Sequence, residues 1–306
     1  MEIRSRSDFI RMTRGALAAA GFVRHESDGT VWFDHQPPGS SESLGVPRSS
    51  SELLEDADGR GTEELRGTRG TGGGETTRGT GGTGAWVLIH GANDHAGTWF
   101  AVAPALAQRF RVIIPDLPGH GESAPATGPI PISRVLSRLE SILANESELT
   151  VVGNSLGGWI AIQYALRNPG RVARLILEAS GGLNRPLAVP LVARTREEAI
   201  PILRAVHGPR FEPQEWVIDA LLERATDSPM LRLTEALEHD VESRLGELSV
   251  PTTLIWGADD GVLTRDYAEA LQQAIPGAKL ELIEGAAHIP HMQQPARFLQ
   301  CLTSIS

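Results

Sequence analysis

One serine in this sequence lies in a motif that is typical of catalytic nucleophiles. The motif G-x-S-x-G occurs at residues 153–157, with Ser155 at its centre. A short apolar run ends at Val152, and a helical pattern of apolar residues follows at 160–166. A strand, a sharp glycine turn and a helix form a nucleophile elbow, which holds a serine hydroxyl at its tip. We therefore predict that Ser155 is a catalytic nucleophile, the alternative being a glycine turn without chemistry.

A serine hydroxyl needs a base, and the base needs an acceptor that fixes its tautomer. Candidates for both follow later in the chain. Two adjacent carboxylates, Asp259 and Asp260, come after one apolar run. Two histidines, His288 and His291, come after the next. These residue types predict a Ser-acid-His arrangement and leave open which member of each pair takes part.

The elements that must position these side chains are short apolar runs that alternate with helical patterns from Ala85 onward. The predicted strands are 85–89, 111–114, 149–152, 172–177, 252–256 and 279–283. Such alternation indicates an α/β fold with a mostly parallel, doubly wound sheet that helices cover on both faces. Ligands meet such sheets at the carboxyl ends of the strands, where the candidate residues lie.

The first 84 residues contain three different kinds of segment. Residues 1–27 are predicted to contain an amphipathic helix over 1–22, with arginines around an apolar face. Residues 28–36 hold a predicted first strand. Residues 37–84 contain a stretch rich in Gly, Thr and Arg with almost no large apolar residue, so we predict a disordered insertion.

The alternation stops between residues 182 and 248. This segment shows helical patterns and no strand pattern: 196–206, 213–225 and 230–245. An insertion of this length between two core strands needs structure of its own. We predict a helical cap over the carboxyl edge of the sheet, between core segments 85–181 and 249–306.

The region from Ala85 to Ile305 resembles the α/β-hydrolase family, in its lipase and esterase branch with an inserted helical cap. The resemblance rests on these motifs: His90-Gly91, Asp116 to Ser123, Gly153 to Gly157, Gly257 to Asp260, and Ala287-His288. The order of serine, acid and histidine is also that of this family. The family spacing implies Asp260 as the acid, with Asp259 as its rival, and His288 as the base.

The resemblance also bears on the remaining candidates. The backbone N–H of Leu156, next to the nucleophile, is one expected oxyanion donor, and that of Ala92, after His-Gly, is the implied second. Glu178 stands where some family members keep their acid, and is a weaker alternative. We expect His291 at the cap edge or in solvent.

Composition excludes several classes of function. The net charge is −10, with 38 acidic and 28 basic residues, which argues against nucleic-acid binding. One cysteine, Cys301, excludes an intramolecular disulfide framework. No His, Asp, Glu or Cys spacing suggests a metal, and we expect no cofactor. No apolar run is long enough for a membrane helix and no signal peptide is recognised, so we expect a cytoplasmic protein.

The resemblance implies a serine hydrolase that cleaves carboxylic esters of small or medium hydrophobic acyl groups. Serine at the elbow distinguishes the chain from dehalogenase and epoxide-hydrolase relatives, which carry aspartate there. One alternative is hydrolysis of carbon–carbon bonds in dienoic ketoacids, although that branch tends to have tryptophan where Ile289 stands. The other alternative is a receptor that binds small molecules and has the same fold. The oligomeric state stays open.

Overall fold

The structure is a computed structural model that describes residues 3–37, 84–125, 127–226, 228–235 and 240–304. The insertion predicted at 37–84 lies outside these residues except for its two end positions.

The chain forms strands and helices in the following order. The strands are β1 (Val23–Ser27), β2 (Thr30–His35), β3 (Trp86–Ile89), β4 (Val112–Pro115), β5 (Ile130–Pro131), β6 (Leu149–Asn154), β7 (Val172–Glu178), β8 (Leu233–Thr234), β9 (Thr252–Gly257) and β10 (Lys279–Ile283). The helices are α1 (Arg6–Ala19), α2 (Ala103–Ala107), α3 (Ile132–Ile142), α4 (Leu156–Arg167), α5 (Arg196–His207), α6 (Glu215–Leu222), α7 (Arg265–Ala274), α8 (Pro290–Gln293) and α9 (Pro295–Ser304). Longer 3₁₀ segments cover Ala96–Ala101 and Glu242–Glu247.

Eight of these strands form one sheet in the order β1-β2-β4-β3-β6-β7-β9-β10. The pairs from β4 to β10 are all parallel, whereas β1-β2 and β2-β4 are antiparallel. The predicted mostly parallel α/β sheet is thereby confirmed. Strand β6, which leads into the serine motif, lies in the interior of the sheet between β3 and β7.

Both faces of the sheet are buried, and successive side chains of each central strand enter opposite cores. Val87, Leu175 and Leu254 point to the core that contains α3, α4 and α7. Their neighbours Leu88 and Ile176 point to the core that contains α2 and α9. Since a strand alternates its side chains between faces, burial on both sides explains why these strands are continuous apolar runs in the sequence.

The prediction of one helix over residues 1–22 is wrong in its extent. Helix α1 ends at Ala19, and Gly21, with φ of +85°, turns the chain into β1. Strand β1 pairs with β2 through the tight turn at Asp28-Gly29. Its residues are mostly exposed, because it is the edge strand, and therefore carry no apolar signal. The buried residues of α1 are Thr13 and Leu17.

The segment between β7 and β9 contains α5 and α6 near their predicted positions, but the third predicted helix, 230–245, is wrong. A 3₁₀ turn at Pro229–Arg232 is followed by β8, which pairs in parallel with β5. This pairing holds the residues after Arg232 extended, so a helix cannot continue there. The segment has a small apolar cluster of its own: Ala193, Ala199, Ile202, Leu203 and Ile218.

The helices of the described residues are short. Each is too short or too polar to cross a bilayer.

Candidate active site

Ser155 lies at a strained turn between β6 and α4. Its backbone has φ of 53° and ψ of −113°, a conformation that L-residues rarely adopt. The two flanking glycines are required by close backbone contacts. A Cβ on Gly153 would meet the carbonyl of Gly157, and a Cβ on Gly157 would meet the carbonyl of Ile89. The Ser155 N–H donates to the Glu178 carbonyl at 2.9 Å, which fixes the turn to β7.

Ser155, His288 and Asp260 form a chain of hydrogen bonds. The Ser155 Oγ lies 3.0 Å from the His288 Nε2, and the His288 Nδ1 lies 2.9 Å from the Asp260 Oδ2. An ionised carboxylate can only accept, so the proton of the neutral imidazole is on Nδ1. The Nε2 lone pair then faces the serine hydroxyl and can accept its proton.

The two adjacent aspartates have different surroundings. The Asp260 side chain is fully buried, and its Oδ1 accepts from the N–H groups of Val262 and Leu263 at 2.8 and 3.0 Å. Its other oxygen is left for the histidine. Asp259 is exposed, and its backbone N–H donates to the Ala286 carbonyl. The structure thus brings Asp260, and not Asp259, to His288.

The loop that carries His288 is tied to the elbow and to α5. The Asn154 side chain, next to the serine, donates to the His288 carbonyl at 3.0 Å. The His288 N–H donates to the Val206 carbonyl at 3.0 Å. Gln293 accepts from the Ala287 N–H and donates to the His207 carbonyl, both at 2.7 Å. These bonds restrict the position of the imidazole.

The two predicted oxyanion donors belong to Leu156, directly after Ser155, and to Ala92, in the loop after β3. Leu156 is the first residue of α4, where backbone N–H groups are unpaired and the helix dipole favours negative charge. Ala92 follows Gly91, whose added Cβ would lie 3.4 Å from the Ser155 Cβ. Within the described residues, neither of the two N–H groups donates a hydrogen bond. His90, fully buried, accepts from the Leu117 N–H at 3.0 Å and so fixes the start of this loop.

Three polar residues that the sequence did not single out hold the loop after Ala92. Asn93, with φ of 60°, accepts at its carbonyl from Arg224 at 3.0 Å and at its side-chain oxygen from Ser228 at 2.5 Å. Arg224 and Ser228 belong to the segment between β7 and β9, and both are buried. No motif marked them, because they lie more than a hundred residues from Asn93.

The expected position of His291 in solvent or at the cap edge is wrong. His291 and Glu178 are fully buried, and the His291 Nδ1 lies 2.8 Å from the Glu178 Oε2. The Nε2 contacts the Thr98 hydroxyl at 3.0 Å, and Trp99 packs on the ring with a centroid distance of 4.2 Å. The turn that begins α8 at Pro290 directs His291 inward. Glu178 therefore partners His291 and not His288.

Proton transfer from a hydroxyl to an imidazole is the chemistry that this arrangement allows. A hydroxyl, an imidazole, a carboxylate behind the imidazole and the N–H groups of Ala92 and Leu156 lie at the carboxyl edge of the sheet. Within the part of the chain that the structure describes, no group of three or more His, Cys, Asp or Glu residues is placed to hold a metal ion.

Several proteins resemble the chain over about two thirds of its length or more. An uncharacterized protein of Mycobacterium tuberculosis is 32% identical over 253 residues, covering 70% of this chain and 73% of that protein. A monoacylglycerol lipase of Xenopus laevis is 27% identical, covering 71% and 73%. A 2-hydroxy-6-oxononadienedioate/2-hydroxy-6-oxononatrienedioate hydrolase of Cupriavidus pinatubonensis is 29% identical, covering 66% and 79%.

The fold comparison agrees with the sequence comparisons. The crystal structure of a bacterial membrane phospholipase A superposes with a TM-score of 0.70 at 21% identity, covering 98% of this chain and 90% of that one.

The sequence model of the alpha/beta hydrolase family matches residues 86–300, which include β3 to β10 and all the candidate residues described above. The chain therefore belongs to the alpha/beta hydrolase family.

Proposed function

We propose that the protein is a serine hydrolase that cleaves carboxylic esters through an acyl-enzyme on Ser155. The observation that carries the proposal is the hydrogen-bonded chain from the Ser155 Oγ through His288 to the buried Asp260, at 3.0 and 2.9 Å. Lipase and hydrolase relatives within the family support hydrolysis as the reaction class.

In the first step of the proposed reaction, the Ser155 Oγ attacks the ester carbonyl while the His288 Nε2 takes the hydroxyl proton. Asp260 stabilises the imidazolium that forms, because its buried carboxylate accepts from Nδ1. The N–H groups of Ala92 and Leu156 are proposed to bind the oxyanion of the tetrahedral intermediate.

In the second half of the reaction, His288 returns the proton to the leaving alcohol, and the ester bond breaks to give an acyl-serine. A water molecule, deprotonated by the same histidine, then attacks this acyl group and releases the acid and the free Ser155 hydroxyl. Every proton in this cycle passes through one imidazole, so the cycle needs no cofactor.

We further propose that the acyl group is hydrophobic and of small or medium size, and that the segment at 182–248 acts as a cap. Helix α5 of that segment reaches the site, since its Val206 carbonyl accepts from His288. The half-buried Leu156 and Trp159 offer apolar surface beside the serine. The lipase relative supports this choice of substrate class.

A second candidate is hydrolysis of a carbon–carbon bond, because the Cupriavidus relative is named for an oxo-dienedioate substrate. The same serine chemistry could serve such a substrate. Against it stands the largely buried Ile289, directly after His288, where that branch tends to have tryptophan.

The test is a panel of p-nitrophenyl esters from acetate to long acyl chains, with a ring-cleavage dienoate measured beside them. We expect repeated turnover of the shorter esters, and loss of about 10⁴- to 10⁶-fold in kcat for Ser155→Ala. Ser137→Ala, the same substitution at an exposed position of α3, serves as the control.

Three results would contradict the proposal in different ways. Preference for the dienoate would favour the carbon–carbon hydrolase. Binding of esters without turnover by the folded wild type would favour a receptor. A folded Ser155→Ala variant that keeps a tenth of the activity would exclude Ser155 as the nucleophile.

A further inference from the structure

A cavity of about 520 Å³ lies between α1, the loop at 119–124 and the turns that follow α6. Three arginines line it, Arg6, Arg224 and Arg232, together with two glutamates, Glu122 and Glu223. Arginines thus outnumber glutamates in this lining, although the chain as a whole carries a net charge of −10.

Arg6 brings a charge to the cavity that is not used elsewhere in the described structure. Its side chain lies on the first turn of α1, and no carboxylate of the described residues forms a salt bridge with it. Burial lowers the pKa of Arg6, and the negative charges of Asp94 and Glu223 partly oppose this effect. A partly desolvated guanidinium without a close acceptor favours the approach of an anion.

The side chain of Arg232 has hydrogen-bond donors without acceptors. Its Nη2 donates to the carbonyls of Gly119 and Pro125 at 3.3 and 3.1 Å. Its Nε and Nη1 are buried, and neither has a hydrogen-bond partner among the described residues. Buried donors without partners are costly, and the cost is larger for charged groups. An oxyanion in the cavity would compensate this charge.

The two glutamates do not cancel the arginines. Glu122 is already paired with Arg14 of α1 and with Arg24 of β1. Glu223 is exposed, so solvent weakens its attraction to the arginines but does not abolish it. His120, which also lines the cavity, is buried, and burial lowers its pKa to about 3, so it is uncharged at neutral pH. The balance inside the cavity is positive.

From these observations we infer a binding site for a small oxyanion, a carboxylate or a phosphate group, held by Arg6 and Arg232. The site lies outside the proposed catalytic residues. It adjoins them through Arg224, which lines the cavity and also donates to the Asn93 carbonyl, one residue after Ala92. A ligand there would contact the support of the proposed oxyanion loop.

The experiment measures binding of inorganic phosphate and of succinate separately, by calorimetry at neutral pH and constant ionic strength. The protein is the full chain with Ser155→Ala, so that no turnover contributes to the heat. We expect saturable binding of at least one anion. Arg6→Gln and Arg232→Gln should each weaken it by about ten- to a hundredfold, since a hydrogen bond to a charged group is removed.

Two further variants separate a binding role from a structural one. Glu223→Gln removes a negative charge from the rim and should strengthen binding several-fold, a change of opposite sign that loss of structure cannot produce. Arg265→Gln is the control, because Arg265 is 65% exposed, pairs with Glu269 on α7 and does not line the cavity. It should leave binding unchanged.

The tighter of the two anions identifies the ligand class, phosphate or carboxylate. Absence of saturable binding by both anions would overturn the inference. So would equal weakening by Arg265→Gln, or binding that neither Arg6→Gln nor Arg232→Gln alters. If Arg232→Gln does not fold, the opposite responses of Arg6→Gln and Glu223→Gln decide the question.

Discussion

Replacing Asp260 by asparagine should remove most of the activity and leave the fold intact. The carboxylate uses Oδ1 for two backbone N–H groups, those of Val262 and Leu263, and Oδ2 for His288. An asparagine that keeps its oxygen toward the two N–H groups must turn its amide NH₂ toward the His288 Nδ1. The imidazole then accepts at Nδ1 and carries its proton on Nε2, where it cannot accept from Ser155.

The opposite orientation of the amide is also unfavourable. The NH₂ group would face the two backbone N–H donors, and both of these buried donors would lose their acceptor, at about 1–3 kcal/mol each. The first orientation is therefore preferred, and it selects the wrong tautomer. In a Ser-His-Asp protease, the same substitution lowers kcat about 10⁴-fold. We expect a loss of that order here.

The assay is kcat for the best short ester of the panel, with circular dichroism and a urea titration as checks on folding. Asp259→Asn is the matched control, because it makes the same chemical change one residue away on an exposed side chain. It should change kcat by less than a factor of about two, as surface substitutions usually do. Activity within tenfold of wild type for Asp260→Asn, or an inactive Asp259→Asn, would refute the tautomer argument.

Three further predictions concern stability. Glu178→Ala should lower the unfolding free energy by about 2–6 kcal/mol in urea, because two buried donors, the His291 backbone N–H and Nδ1, lose their acceptor at about 1–3 kcal/mol each. Burial lowers the pKa of His120 to about 3, against about 6.5 when unfolded, so the unfolded state binds more protons below pH 6.5. His120 should therefore contribute about 2 kcal/mol to the fall in stability between pH 6.5 and 5, measured as the part of the fall that His120→Asn removes. Gly157→Ala should lower the melting temperature and the ester activity together, because the added methyl meets the Ile89 carbonyl.

Controls for these predictions come from the same chain. Gly15→Ala adds a methyl with no atom within 4 Å, inside α1, and should stabilise by up to about 1 kcal/mol. A Gly157→Ala variant as stable as wild type would show that the elbow can relax. Equal stability at pH 5 and 6.5 would show that His120 takes up a proton without unfolding. A loss below about 1 kcal/mol in Glu178→Ala would mean that His291 finds another acceptor.

The parts of the fold that sequence reasoning predicted are those with a local physical signal. The central strands are buried on both faces, so they appear as continuous apolar runs, and β10 occurs at its predicted bounds. The elbow is visible because only glycine fits beside the Ile89 and Gly157 carbonyls. Each of these features appears in the sequence as a pattern of a few neighbouring residues.

The parts that the sequence did not reveal depend on partners far away. Strand β1 is mostly exposed and is set by its pairing with β2, so it has no apolar pattern. The third predicted helix of the segment before β9 gives way to β8, whose partner β5 lies a hundred residues earlier. His291 is buried only because Glu178 and Thr98 complete its hydrogen bonds. No local pattern encodes such contacts.

Glu178 connects two chain segments that carry the proposed nucleophile and base. Its carbonyl accepts from the Ser155 N–H at 2.9 Å, and its side chain accepts from the His291 N–H at 2.7 Å. Both the turn at Ser155 and the loop with His288 are thus hydrogen-bonded to the end of β7, which lies inside the sheet. Strand β10, from which the histidine loop departs, is an edge strand, and four of its five residues are at least partly exposed. Fluctuations of that edge need not reach the distance between serine and histidine, because the loop is fastened to the interior strand after it leaves β10.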